Sequence, residues 1–240
     1  MWKKIKKAAK KVWRTVKKVV RVLKEIGMRG FGILDFLGSL LGVMPRKRLI
    51  ARFVVLMDEK RNPVQFLPEV ERWVAVTKQV FNDRLNVEVK PWHDKFVSFV
   101  PTPSPAALLR PADCSFTAGF GDAADDFEDL AGDLYYSEGS SLGEELRRIT
   151  GYGEPIVIIV VEATSAGVRG CAYPWIHNFC WVISKPLSTT PSHEAGHLCG
   201  LFPHSSAAHN LMNSDRLDMD SNMNRLQVSW ARNSRYITFL

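Results

Sequence analysis

Residues 193–212 read HEAGHLCGLFPHSSAAHNLM, and they carry the strongest chemical signal in the chain. His193 and His197 are four residues apart, so on a helix they lie one turn apart on the same face and can bind one metal ion. Glu194 follows the first histidine and can reach a metal-bound water without being a ligand. This arrangement is the minimum that zinc-assisted hydrolysis of a peptide bond requires. We therefore predict His193 and His197 as ligands of Zn²⁺ and Glu194 as the catalytic base.

The residues that follow indicate a third ligand. Gly200 comes just after the second histidine, where a glycine in the left-handed conformation would end the helix and turn the chain. His204 then returns towards the metal, which would give three imidazoles and one open position for water. His209 is the alternative third ligand.

The wider pattern resembles that of the metzincin metallopeptidases, HExxHxxGxxH followed by a Met-turn. Met212 occupies the position of the Met-turn, and its interval from His204 is similar to that of matrixins. Residues 201–203 separate the glycine from the third histidine, whereas the family has two residues there, and we interpret the extra residue as a bulge stiffened by Pro203. The resemblance implies a zinc-dependent endopeptidase in which Met212 forms an apolar floor beneath the ligands.

Hydrophobic patterning outlines the rest of the domain. Residues 155–162, PIVIIVVE, are apolar on both faces and predict a buried strand. Further strands are predicted at 48–57, 86–90, 170–173 and 179–184, and helices at 66–85 and 226–237. The resemblance implies a zincin-like α/β (α+β) fold. Its twisted, mostly parallel sheet would have an antiparallel edge strand, with an active-site helix, a C-terminal helix and an additional N-terminal basic amphipathic helix.

The resemblance also implies where a substrate binds. In metzincins an edge strand just before the zinc helix pairs with the extended peptide, and the segment Gly170, Cys171, Ala172 and Tyr173 resembles that strand. A peptide or protein substrate is therefore the expected partner.

Charge divides the chain unevenly. The net charge is +7, but residues 1–30 hold twelve Lys and Arg against the single acid Glu25, whereas residues 31–240 hold 20 basic and 24 acidic residues. We predict a basic amphipathic helix at 1–28, a Gly-rich apolar segment and linker at 29–47, and a metzincin-like catalytic domain at 48–240.

The N-terminal region has an apolar stripe at alternating spacings of three and four residues, with basic residues on the other face. Its members are Trp2, Ile5, Ala9, Val12, Val16, Val19, Leu23 and Ile26, widened by Trp13 and Val20. This pattern favours an anionic membrane surface, and a partner helix would also fit it. Nucleic acid is a weaker candidate, because no aromatic platform or groove-reading motif accompanies the basic residues.

Residues 31–44 are apolar apart from Asp35, but they are too short to span a bilayer. They make a poor signal peptide because a long charged segment precedes them. We therefore expect a protein that associates with a membrane surface or is exported without a conventional signal. Two alternatives stay open: a structural protein that retains a degenerate zincin domain, and a membrane-disrupting N-terminal peptide carried by the domain.

The four cysteines show no CxxC spacing, which argues against a zinc cluster. Cys171 and Cys180 flank a hairpin-like stretch and could form a disulfide, whereas Cys199 is predicted to be a small buried residue. The acid-rich run at 122–133 matches no calcium-binding loop, and we interpret it as the exposed start of a helix.

Overall fold

The computed structural model describes residues 2–137, 147, 150–164, 167–215 and 218–239. The strands are β1 Lys47–Met57, β2 Val87–Pro91, β3 Val97–Pro103, β4 Ile156–Val161, β5 Gly170–Ala172, β6 Phe179–Ile183 and β7 Ile237–Thr238. The helices are α1 Trp2–Phe31, α2 Ile33–Leu40, α3 Leu67–Leu85, α4 Ala106–Leu109, α5 Asp122–Ser137, α6 Thr190–Leu198 and α7 Arg225–Arg232, with a 3₁₀ turn at Phe116–Phe120.

The sheet has β1 and β4 at its centre. Its order is β2-β1-β4-β6-β5, and β3 and β7 also pair with β1. Strand β1 is parallel to β2, β3 and β4, and β4 is parallel to β6, whereas β5 and β7 run antiparallel to their neighbours. The chain is thus a mixed α/β fold with a mostly parallel sheet and an antiparallel edge strand, as predicted.

Strand β4 separates two hydrophobic cores. Its even-numbered residues, from Ile156 to Val160, belong to the core shared with α3, α6 and α7, and its odd-numbered residues belong to the core shared with α4 and α5. All six side chains are buried. A strand buried on both faces needs helices on both sides, which explains why its sequence is continuously apolar rather than alternating.

The C-terminal helix is shorter than predicted. Helix α7 ends at Arg232, although the prediction continued to residue 237. The chain then turns inward, where the Tyr236 hydroxyl donates to the His177 carbonyl at 3.0 Å and Ile237 pairs with Leu49 of β1. The apolar residues after the helix are therefore buried against the sheet and not on a helix face. Strand β3 was not predicted at all.

Helix α1 packs on the domain through its basic face. Arg14 and Lys18 each lie 2.8 Å from an oxygen of Asp125 in α5. Arg21 lies 3.0 Å from Glu128, one turn further along the same helix. The contact between α1 and α5 is therefore electrostatic along this part of the helix pair.

The acid-rich run at 122–133 begins helix α5, as predicted, and Asp122, Asp126 and Asp129 are exposed, but two of its acids are not. Asp125 and Glu128 are buried, because the cationic side chains of α1 cover them. Paired charges of opposite sign tolerate burial that an isolated carboxylate would not.

The Gly-rich segment after α1 forms helix α2, which packs against α7. Asp35 of α2 binds the buried ammonium of Lys47 at 2.7 Å, so the segment is tied to the start of β1. None of the described helices has both the length and the apolarity required for a transmembrane span. The division of the chain at residues 28 and 47 remains a prediction.

Candidate metal centre

Helix α6 carries His193, Glu194 and His197, and all nine of its residues are buried. It lies against β5 and β6 on one side and α3 on another. Gly196 allows close packing, since a Cβ at this position would lie 2.9 Å from the sulfur of Met212. The two histidines are thus held on a helix that cannot easily rotate or shift.

Three imidazoles converge at this helix. The Nε2 atoms of His193, His197 and His204 lie 3.1 to 3.2 Å from one another. Nitrogen ligands about 2.0–2.1 Å from a tetrahedral zinc ion would be about 3.3 Å apart, so this spacing suits a single ion. Within the described part of the chain, this is the one group of three metal-ligating side chains close enough to share an ion.

The opposite ring nitrogens show how the donors are oriented. His193 Nδ1 lies 2.6 Å from the Leu211 carbonyl, and His197 Nδ1 lies 2.7 Å from the Leu201 carbonyl. A carbonyl can only accept, so each Nδ1 carries the proton and donates it, which leaves the Nε2 lone pair directed at the other rings. Lone pairs that face one another repel unless a cation lies between them. The donor set therefore fits a divalent metal such as zinc.

His204, and not His209, completes the cluster. Gly200 has a φ of +87°, and this left-handed residue ends α6 and turns the chain back. The three residues that follow it still deliver the His204 ring to the other two. The His209 side chain is 65% exposed and its Nδ1 lies 2.9 Å from Asp220 instead.

Met212 lies against the helix that bears the histidines. Its side chain is fully buried. Its backbone N–H donates a hydrogen bond to the side-chain oxygen of Asn210 at 2.9 Å. The Asn213 N–H donates to the Asn210 carbonyl at 3.0 Å, which closes a turn. The role of Met212 as a Met-turn beneath the ligands stays a prediction.

Glu194 borders the edge strand. Its side chain is 5% exposed, and a Cβ added to Gly170 would lie 2.7 Å from its Oε1. Glycine at this position therefore lets the start of β5 pass directly over the carboxylate. Ala172 is partly exposed, whereas Cys171 and Tyr173 point into the core beneath β5. Substrate binding by residues 170–173 remains a prediction, and it would have to use the backbone.

Cys171 and Cys180, whose pairing the sequence left open, are not bonded to each other. Cys171 is bonded to Cys114, so the bridge ties the edge strand to the segment that precedes the 3₁₀ turn. Cys180 is a free thiol in the core, because it lies on β6 and faces the side of the sheet opposite to Cys171. Cys199 is also free and buried, as predicted, and burial raises the pKa of its thiol to about 12.

Sequence patterns did not predict the contact of Arg29 with this centre. The Arg29 guanidinium donates to the Cys199 carbonyl at 2.9 Å, at the C-terminal end of α6, and lies over the Trp230 ring at 4.4 Å. A cation at the end of a helix that exposes carbonyl oxygens is favourable. The orienting carbonyls of Leu201 and Leu211 were also missed, since backbone groups leave no signal in a motif.

No protein-family model and no curated protein matches the chain. Among solved structures, a zinc-dependent peptidase from Methanocorpusculum labreanum is similar at 16% identity over 75% of this chain and 99% of that chain, with a TM-score of 0.44. A chaperone–substrate complex is similar at 13% identity over 78% of this chain and 34% of that chain, with a TM-score of 0.46. Both similarities are too distant to bear on the activity of this chain.

Proposed function

We propose that this protein is a zinc-dependent endopeptidase of the metzincin type. The observation that supports this most directly is the convergence of the His193, His197 and His204 Nε2 atoms within 3.1 to 3.2 Å of one another. The two backbone carbonyls that orient His193 and His197 support it further, because they select the tautomer that a metal requires.

The three histidines would hold the ion, and Glu194 would handle the proton. When bound, zinc polarises a peptide carbonyl and lowers the pKa of a coordinated water. Glu194 accepts a proton as water attacks the scissile carbonyl and then delivers that proton to the leaving amine. The contact of Glu194 with Gly170 at the start of β5 supports this role, because in the proposed complex the peptide pairs with that edge strand.

The decisive test is Glu194→Gln in the full chain, assayed on a peptide pool by mass spectrometry and compared with zinc content. We expect cleavage to fall by about 10²-fold or more, because a catalytic base contributes about 10²–10⁴-fold, while about one zinc per chain is retained. Glu162→Gln is the matched control, since Glu162 makes an exposed ion pair with Arg110. Unchanged cleavage in Glu194→Gln, or no cleavage by the zinc-loaded wild type, would contradict the proposal.

We also propose that residues 1–28 bring the peptidase to a membrane surface or a partner helix. The amphipathic pattern of this region and its excess of basic residues support this part of the proposal. It is independent of the zinc centre and can fail separately.

A further inference from the structure

Helix α1 turns its apolar side to solvent. Seven described side chains along it are between 42% and 64% exposed: Val12, Trp13, Val16, Val19, Val20, Leu23 and Ile26. We call this set the outer stripe. The side chains of Trp2 and Ile5 lie outside the described part of the structure. An amphipathic helix of a globular protein normally buries such a stripe, so its exposure along α1 needs a physical reason.

The reason is on the opposite face of the helix. Lys18 is only 3% exposed and bonds to Asp125, and Glu25 is fully buried beside Arg29 and Arg235. Rotating the outer stripe inward would pull these groups out of their pairs, and breaking a buried ion pair is strongly unfavourable. The folded domain therefore holds α1 with its apolar side facing outward.

The apolar surface continues beyond α1. Phe31, Leu34, Leu41 and Val43 are 65% to 86% exposed, so apolar side chains extend from α1 over α2 and the turn that follows. Contiguous exposed apolar surface of more than several hundred Å² typically marks an interaction site. A coiled coil would use a narrow apolar seam along a single helix, whereas this apolar surface spans two helices. The surface is therefore broader than a coiled-coil partner requires.

The positive charge of α1 indicates what binds to the outer stripe. The only acid among residues 1–30 is Glu25, and it is buried, whereas Lys3, Lys4, Lys6, Lys7 and Lys11 cluster at the start of the helix. In a symmetric pair of such helices basic rims would meet with no exposed acid from α1 to balance them, and like charges across a helix interface are unfavourable. An anionic surface is complementary to the same rim.

We propose that the outer stripe is the surface by which this chain docks on a lipid bilayer that contains anionic lipids. The apolar side chains enter the boundary between headgroups and acyl chains, and the terminal lysines bind the headgroups. This deepens the membrane role proposed above for residues 1–28. The residues of the outer stripe are the side chains that insert. The basic residues in the middle of α1 bind α5 and not lipid.

The test is co-sedimentation of the full chain with vesicles of phosphatidylcholine, with and without phosphatidylserine. The variant replaces Trp13 and Leu23 by serine, two stripe residues that are each 61% exposed. We expect binding of the wild type to the phosphatidylserine vesicles and at least about tenfold weaker binding of the variant. Phe66→Ser is the matched control, because Phe66 is 72% exposed and lies at the N-cap of α3, where serine is well tolerated.

Thermal unfolding of all three proteins checks that the fold is retained, and Glu194→Gln run in parallel separates docking from proteolysis. The proposal is overturned if the Trp13 and Leu23 variant binds the vesicles like the wild type, or if the wild type binds neither vesicle. Equal binding to both vesicles would overturn the selection by anionic headgroups. A wild-type dimer that the variant converts to a monomer would show that a second copy occupies the stripe.

Discussion

Helices α1 and α6 pack against the rest of the protein in opposite ways. Helix α6 is buried on every side, whereas α1 touches the domain through charged groups and leaves its apolar stripe exposed. The first is held by dense packing around small residues such as Gly196, and the second by ion pairs with α5. Apolar periodicity therefore shows that a helix has two faces, but the charge of the neighbouring surface decides which face packs inward.

Replacing a ligand of the metal centre tests whether the dense packing around α6 positions the three histidines for one ion. His204→Ala should lose about 2.5–4 kcal/mol of zinc affinity, a quarter of the roughly 10–16 kcal/mol typical of four-ligand structural sites. Zinc per chain after dialysis and competition with a chelator measure this. His209→Ala is the control and should retain zinc, because that ring is exposed and bound to Asp220. Retention in His204→Ala with loss in His209→Ala would show that the third ligand is wrongly assigned.

The electrostatic attachment of α1 to the domain depends on Glu25. This carboxylate is fully buried, 2.7 Å from Arg29 and 3.5 Å from Arg235. Glu25→Gln should lower the free energy of unfolding by about 3 kcal/mol, the lower end of the cost of breaking a buried pair, since glutamine keeps the shape. Urea unfolding followed by circular dichroism measures it.

A surface pair supplies the comparison for Glu25. Lys10 and Asp129 are 61% and 46% exposed, so Lys10→Gln should cost at most about 1 kcal/mol. Equal costs for the two variants would mean that burial of Glu25 does not anchor α1.

Gly200 lies where Arg29 of α1 contacts the end of α6, and its replacement should have a smaller effect than that of Glu25. A Cβ at this residue would overlap the Arg29 guanidinium, and its φ of +87° already disfavours any side chain. Gly200→Ala should cost about 2–3 kcal/mol. Gly42→Ala should cost only about 1 kcal/mol, because Gly42 has a φ of +90° but open space around it. The unfolding temperatures of both variants check this. Equal decreases would mean that the Arg29 side chain adds no steric cost at Gly200.

The HEAGH motif was sufficient to predict which residues lie together on α6, because helical spacing of four residues needs no tertiary information. The parallel strands were also predictable, since a run such as 156–161 is apolar at every position. The disulfide was not, because Cys114 and Cys171 are 57 residues apart and only the fold brings them together.

Residue order alone thus indicated the donor types, the helix that bears two of them and an amphipathic N-terminus, all of which depend on contacts over one or two turns. Long-range packing had to choose between His204 and His209, to pair Cys171 with Cys114 and to orient the stripe of α1 outward. These outcomes depend on which distant surfaces meet and on how their charges match, and local periodicity carries no information about either.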